Sequence, residues 1–139
     1  MSSAAVAAAV RARLEASWSE TPIVADTWVR DDDAPPPAGT PVWLAPDFDV
    51  PAEEEQITIG APGDNVFREH GIFQLHLFGL TGNGAAKLRQ LADQLRTLFR
   101  AQTFAGVRCY GADPPEIGPG GGRWIRATVA VEYEHDLFA

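Results

Sequence analysis

Apolar residues first recur every four positions. Val6, Val10, Leu14 and Trp18 form one stripe, and Ser3 stands where a helix cap is needed, so a helix is expected from Ser3 to about Ser17. Thr21-Pro22 ends it, because a residue before proline avoids the helical region. The clearest helix lies further on, at about Ala85 to Arg100. Its Leu88, Leu91, Ala92, Leu95, Leu98 and Phe99 share a single apolar face.

Elsewhere the period is two. "GIFQLHLFG" (Gly71 to Gly79) is the strongest strand, preceded by "NVFRE" after a Pro-Gly-Asp turn. "RWIRATVAVEYEH" (Arg123 to His135) places Ile125, Ala127, Val129, Val131 and Tyr133 on one side and Arg126, Thr128, Glu132 and Glu134 on the other. Shorter strands are expected at Val42–Phe48, at Glu55–Ala61 and at Phe104–Gly111. Pro46 makes the first of these an edge strand. "PIVADTW" reads as extended. Two stretches rich in proline and glycine, about 30–41 and 112–123, read as long loops without regular structure. One buried and one wet strand face imply a single domain of the α+β class: a mixed, mainly antiparallel sheet with two main helices packed on one face.

Composition narrows the function. At 139 residues the chain suits one two-layer core. The net charge of −8 argues against a general nucleic-acid binder. The single cysteine, Cys109, excludes an internal disulfide and a cysteine-cluster metal site. No apolar run is long enough to span a bilayer, and Met1-Ser2-Ser3 lacks the basic start of a secretory signal. These features point to a soluble protein of a reducing compartment.

One segment resembles a catalytic motif. "FGLTGNGAAKLRQ" (Phe78 to Gln90) puts glycines and a lysine between a strand and a helix, as phosphate-binding loops do. Gly79 and Gly84 have P-loop spacing, but Ala85 and Ala86 follow where Lys-Ser/Thr is required, and Lys87 is displaced by two positions. A plain strand-to-helix turn, capped by Thr81 or Asn83, accounts for the same residues. His70 and His76 share strand parity and could both be exposed, but no third ligand has metal-site spacing near them. Cys109 reads as a small buried hydrophobe. Glu132 and Glu134, on one face with Arg126, read as a surface ion pattern. No catalytic residues, cofactor or metal site are expected.

The order of segments resembles the tail terminator proteins of long-tailed bacteriophages, of the lambda minor tail protein U type, and their relatives in gene transfer agents. The resemblance covers about Val6 to Tyr133. It is carried by "ASWSETPIVADTW", "PVWLAPDF", "REHGIFQLHLFGLTGNGAAKLRQLADQLRTLF" and "RWIRATVAVEYE". Its most telling parts are the Thr21-Pro22 helix exit, the Gly-x-Gly turn at Gly82 and Gly84, and the helix from Leu91 to Phe99. It implies a non-enzymatic virion protein of the tail's neck end, assembled in the bacterial cytoplasm. Such a protein forms a hexameric ring that ends tail-tube growth and offers a docking surface to the head connector or stopper. DNA would pass through the lumen without specific binding.

Charge is segregated in a way that suits a ring. Lys87, Arg89, Arg96 and Arg100 make the second helix basic, while Asp31, Asp32 and Asp33 form an acidic run in a proline-rich loop. These seven residues are the candidate interface. They are either solvated surface or complementary patches on neighbouring copies. Two other functional classes remain open on sequence grounds: a different neck or head-completion protein, and a stand-alone α+β small-molecule-binding module.

Overall fold

The computed structural model describes residues 2–24, 42–80, 85–119 and 124–139. The chain opens with α1 (Ala4–Ser17). The Ser3 hydroxyl accepts from the Val6 N–H, and Val6, Val10 and Leu14 are fully buried. The helix stops at Trp18, whose backbone turns extended (φ −111°, ψ 111°) and whose indole N–H donates to Thr21 at 2.9 Å. Residues 22–24 then run beside β1 (Val42–Asp47), with a parallel bridge between Ile23 and Leu44. All of "RDDDAPPPAGTP", including Asp31, Asp32 and Asp33, lies outside the described residues, as does the second half of "PIVADTW".

β2 (Glu53–Gln56), β3 (Val66–Leu80), α2 (Ala85–Phe99), β4 (Thr103–Phe104), β5 (Val107–Ala112), β6 (Glu116–Pro119) and β7 (Trp124–Phe138) follow. The strands form one seven-stranded sheet, and every strand pair in it is antiparallel. Its spine is the pair β3–β7, in register from Val66 opposite Phe138 to Leu80 opposite Trp124. Two short strands lie end to end along each outer edge of this spine: β1 and β2 on β3, β5 and β6 on β7. As Pro46 suggested, β1 ends the sheet. The α+β class and the mainly antiparallel sheet follow from the sequence as read.

Three strand boundaries differ from expectation. The second strand is Glu53–Gln56 rather than Glu55–Ala61. Beyond Ile57 the ladder gives way to side chains: Thr58 Oγ1 accepts the Val66 N–H at 2.8 Å, and Asn65 Oδ1 accepts the Gly60 N–H at 2.6 Å. The alternating Ile57 and Ile59 therefore face solvent, 42% and 95% exposed. The stretch Phe104–Gly111 is a hairpin, because Ala105 and Gly106 both take positive φ (47° and 79°) and fold β4 onto β5. The expected loop 112–123 contains β6, whose backbone pairs with Thr128 to Ile125 of β7. Residues 120–123 of that stretch lie outside the described residues.

Both helices lie on one face of the sheet. The core joins Val10 and Leu14 of α1 and Leu88, Leu95 and Phe99 of α2 to Phe73, Leu75 and Leu77 of β3 and Val129 and Val131 of β7. Phe99 meets Phe73 edge-on at 5.4 Å. α2 ends where Ala101 enters the left-handed region (φ 57°), one residue short of the expected Arg100.

The opposite face is not uniformly wet. At one end Trp43 and Phe78 stack at 5.1 Å, and Trp124 meets Trp43 edge-on at 4.5 Å, making a second, smaller apolar cluster. At the other end the same face is charged.

Candidate functional site

That charged end is assembled by register. Alternate residues of a strand share a face, so Arg68, His70 and Ile72 of β3 stand beside Asp136, Glu134 and Glu132 of β7. β5 brings Arg108 opposite Glu134, and β2 brings Glu53 and Glu55 opposite His70 and Arg68. Arg68 Nε donates to Asp136 Oδ1 at 2.8 Å and its NH2 to Oδ2 at 3.2 Å, the paired geometry a guanidinium makes with a carboxylate. Arg108 spans both acids, at 3.1 Å from Glu134 and 3.3 Å from Asp136. The Tyr110 hydroxyl donates to Glu134 at 2.9 Å.

Ionisation follows these contacts. The Arg68 guanidinium, aided by Arg108, holds Asp136 at about 2, against the opposing effect of burial. The Tyr110 hydroxyl and then Arg108 hold Glu134 below the usual carboxylate range. Both arginines are pushed above their ordinary value, first by their hydrogen bonds to Asp136. The quartet is thus locked in its charged form.

Beside the quartet an open groove of about 560 Å³ is bounded by Glu53, Glu55, Glu132 and Glu134, with Ile72 and Tyr110 as apolar and aromatic wall. The arginines are already engaged by Asp136 and Glu134. Among the described residues, Glu53 pairs only with His70, at 3.8 Å, and Glu55 and Glu132 have no ion-pair partner. The groove is therefore net acidic.

The candidate basic residues divide. An α-helix turns about 100° per residue, so Arg89 and Arg96 of α2, and Arg100 just past its end with its N–H still bonded to the Arg96 carbonyl, lie within about 40° of one another, and Lys87 lies on the opposite flank. Lys87, Arg89 and Arg100 are exposed and have no ion-pair partner among the described residues. Arg96 is half-buried: its Nε donates to the Ala112 carbonyl at 3.0 Å and its NH1 to Asp93 at 3.1 Å. The structure brings none of the four against the groove of the same chain. They belong to the helical side of the sheet, and the groove to the other.

The remaining chemical candidates resolve as follows. His76 is buried, not exposed, with its ring nitrogens at 2.8 Å from Thr128 Oγ1 and 3.2 Å from Asp47 Oδ2. Like His70 it points to the open face, but the apolar cluster of Trp43 and Phe78 closes over that end of the sheet. Cys109 is buried in the core, and burial pushes its thiol up to about 12. Glu134 bonds Arg108 and Tyr110, so the wet-face ion pattern reaches across strands. The expected turn at residues 81–84, with its candidate caps Thr81 and Asn83 and with Gly82 and Gly84, lies outside the described residues. No group of three His, Cys, Asp or Glu among the described residues is placed to hold a metal ion.

Sequence reading missed Arg68, Arg108, Tyr110 and Asp136. Their shared parity on alternating strands was visible, but only the pairing of β3, β5 and β7 brings positions 68, 108 and 136 together.

A family model described as "Phage tail terminator protein" matches residues 5–133. A solved structure is similar over 100% of this chain and 99% of its own, with a TM-score of 0.61 and 23% identity, a likeness of fold. No curated protein matches the chain.

Proposed function

The chain belongs to the phage tail terminator family, and from that premise we propose that it forms a hexameric ring closing the head-proximal end of the tail tube. It is a structural protein of a phage tail. In the proposed role the ring stops addition of tube subunits and presents its upper surface to the head connector or stopper, in a phage or a gene transfer agent. Copies join through basic residues of α2 and an acidic surface of the neighbour. DNA passes through the lumen without specific contacts, in keeping with the net charge of −8. Assembly takes place in the bacterial cytoplasm, and the subunit needs no cofactor and catalyses no reaction.

The observation that carries this reading is the family match across residues 5–133, which spans both helices and nearly all of the sheet. The test is co-expression with the cognate tube protein, with tube length and end structure read by electron microscopy. Tubes of uniform length bearing a ring at one end are expected. Tubes that grow to indefinite length in the presence of folded protein would reject the role.

A further inference from the structure

We infer that the flank of α2 carrying Arg89, together with Arg100 just past its C-terminal end, docks into the acidic groove between β2 and β7 of a second copy. The inference rests on the ring reading above and names the surfaces that would build it. Three observations lead to it. The two patches have opposite charge, and none of their four residues, Arg89 and Arg100 on the helix side and Glu55 and Glu132 in the groove, has an ion-pair partner among the described residues. They lie on opposite sides of the sheet, so one copy can engage two neighbours at once. Two different patches make a heterologous contact, which propagates into a ring where its rotation closes.

The spans also match. Arg89 and Arg100 are separated by about 16 Å of helix, eleven residues at the standard rise. Glu55 lies opposite Arg68 and Glu132 opposite Ile72, so they are four residues apart along β3 and two strand spacings across. Standard strand geometry makes that roughly 16–17 Å. Arg96, between Arg89 and Arg100, is anchored to Ala112 and Asp93 and holds the flank in place. Tyr110, 47% exposed at the groove wall, offers an aromatic surface on which a guanidinium can lie.

Charge exchange tests it. Glu55→Lys/Glu132→Lys reverses the groove, and Arg89→Glu/Arg100→Glu reverses the helix flank. All four positions are exposed, so circular dichroism and Tm should match the parent chain. Self-association is followed by mass photometry at low salt, free and on tail tubes. Each double variant alone should associate about tenfold or more weakly than the parent. An equimolar mixture should recover the parent's assembly, because each reversed groove meets a helix flank of opposite sign. Asp31→Lys/Asp32→Lys/Asp33→Lys serves as the comparison.

Variants that assemble as the parent does, or a mixture that fails to recover, would overturn the pairing while leaving the terminator role intact. Loss of assembly only in the Asp31–Asp33 variant would move the acceptor to that segment and overturn the groove. A parent chain that stays monomeric both free and beside growing tubes would reject the role and the pairing together.

Discussion

The Tyr133 hydroxyl donates to the Glu69 carboxylate at 2.5 Å inside the protein, joining β7 to a residue of β3 that also receives the Ser3 backbone N–H at 3.1 Å. The Ser2 hydroxyl completes the group at 3.0 Å from Tyr133. Burial alone would raise the Glu69 pKa, but the Ser3 and Tyr133 hydrogen bonds outweigh it and hold the carboxylate below its ordinary 4.5. A depressed carboxylate stabilises the fold above its unfolded pKa, and the contribution is lost as pH falls through the folded value. Glu69→Gln should therefore flatten the acid limb of a stability–pH profile. Tyr133→Phe should lower stability by about 1–3 kcal/mol in urea denaturation at neutral pH, because a buried carboxylate loses a donor. Tyr133 itself is raised, first by burial and then by Glu69, so its contribution is full at neutral pH and fades as pH climbs past 10.

Gly71 sits where that group is tightest. A Cβ there would lie 2.9 Å from the Ala52 Cβ and 3.2 Å from the Tyr133 hydroxyl. Gly71→Ala should destabilise by about 1–3 kcal/mol, as overpacking does. Gly111→Ala, with nothing within 4 Å of its Cβ, should leave Tm nearly unchanged. Thermal denaturation of the two variants side by side checks the contrast.

Cys109 should be chemically silent in the native state. It is 4% exposed, and its thiol is pushed up to about 12 by burial, so both access and thiolate are lacking. Titration with a thiol reagent at pH 8 should show no fast phase until denaturant is added, and then one equivalent. Rapid native labelling would contradict the packing of β5 against the core.

On α2 and at its end, one position belongs to the core and two basic positions, Arg96 and Arg100, differ from each other. Leu95 is fully buried, and Leu95→Ala should cost about 2–5 kcal/mol. Arg100→Glu should change stability by no more than about 0.5 kcal/mol, as surface substitutions do. Arg96→Glu should fall between them, since it removes the bond to the Ala112 carbonyl that ties the helix to β5. Urea midpoints of the three variants give the ranking.

The helices and the long strands were legible in the sequence because their periodicity is carried by side chains that all face one core. Leu88 to Phe99 and Ala127 to Tyr133 needed no partner to be read. Of the short strands, β1 was legible, at Val42–Asp47 against an expected Val42–Phe48, and the others were misplaced or missed for three separate reasons. β6 (Glu116-Ile117-Gly118-Pro119) has a single large apolar residue, and its glycine and proline are the usual signs of a loop, so no alternation marks it as a strand. The turn between β4 and β5 uses Ala105 at positive φ, where asparagine or glycine is the usual sign. Ile57 and Ile59 alternate as strand residues do, yet Thr58 and Asn65 take over the hydrogen bonds. The groove was hidden for a fourth reason. Its acids come from residues 53–55 and 132–134, and only the register of β2 and β7 on β3 makes them neighbours.

The long spine has a consequence for how the protein comes to be made. β3 is synthesised well before β7, separated from it by α2 and the three short strands. Until β7 leaves the ribosome, the edge of β3 opposite β1 and β2 has no strand to pair with. An open strand edge of fifteen residues is a template for pairing with other nascent chains. Closure then requires contacts between positions as far apart as Val66 and Phe138, which makes the final step slow relative to formation of the helices. Chains truncated before Trp124 should therefore accumulate as aggregates, and the yield of soluble protein should rise when translation is slowed or the temperature is lowered.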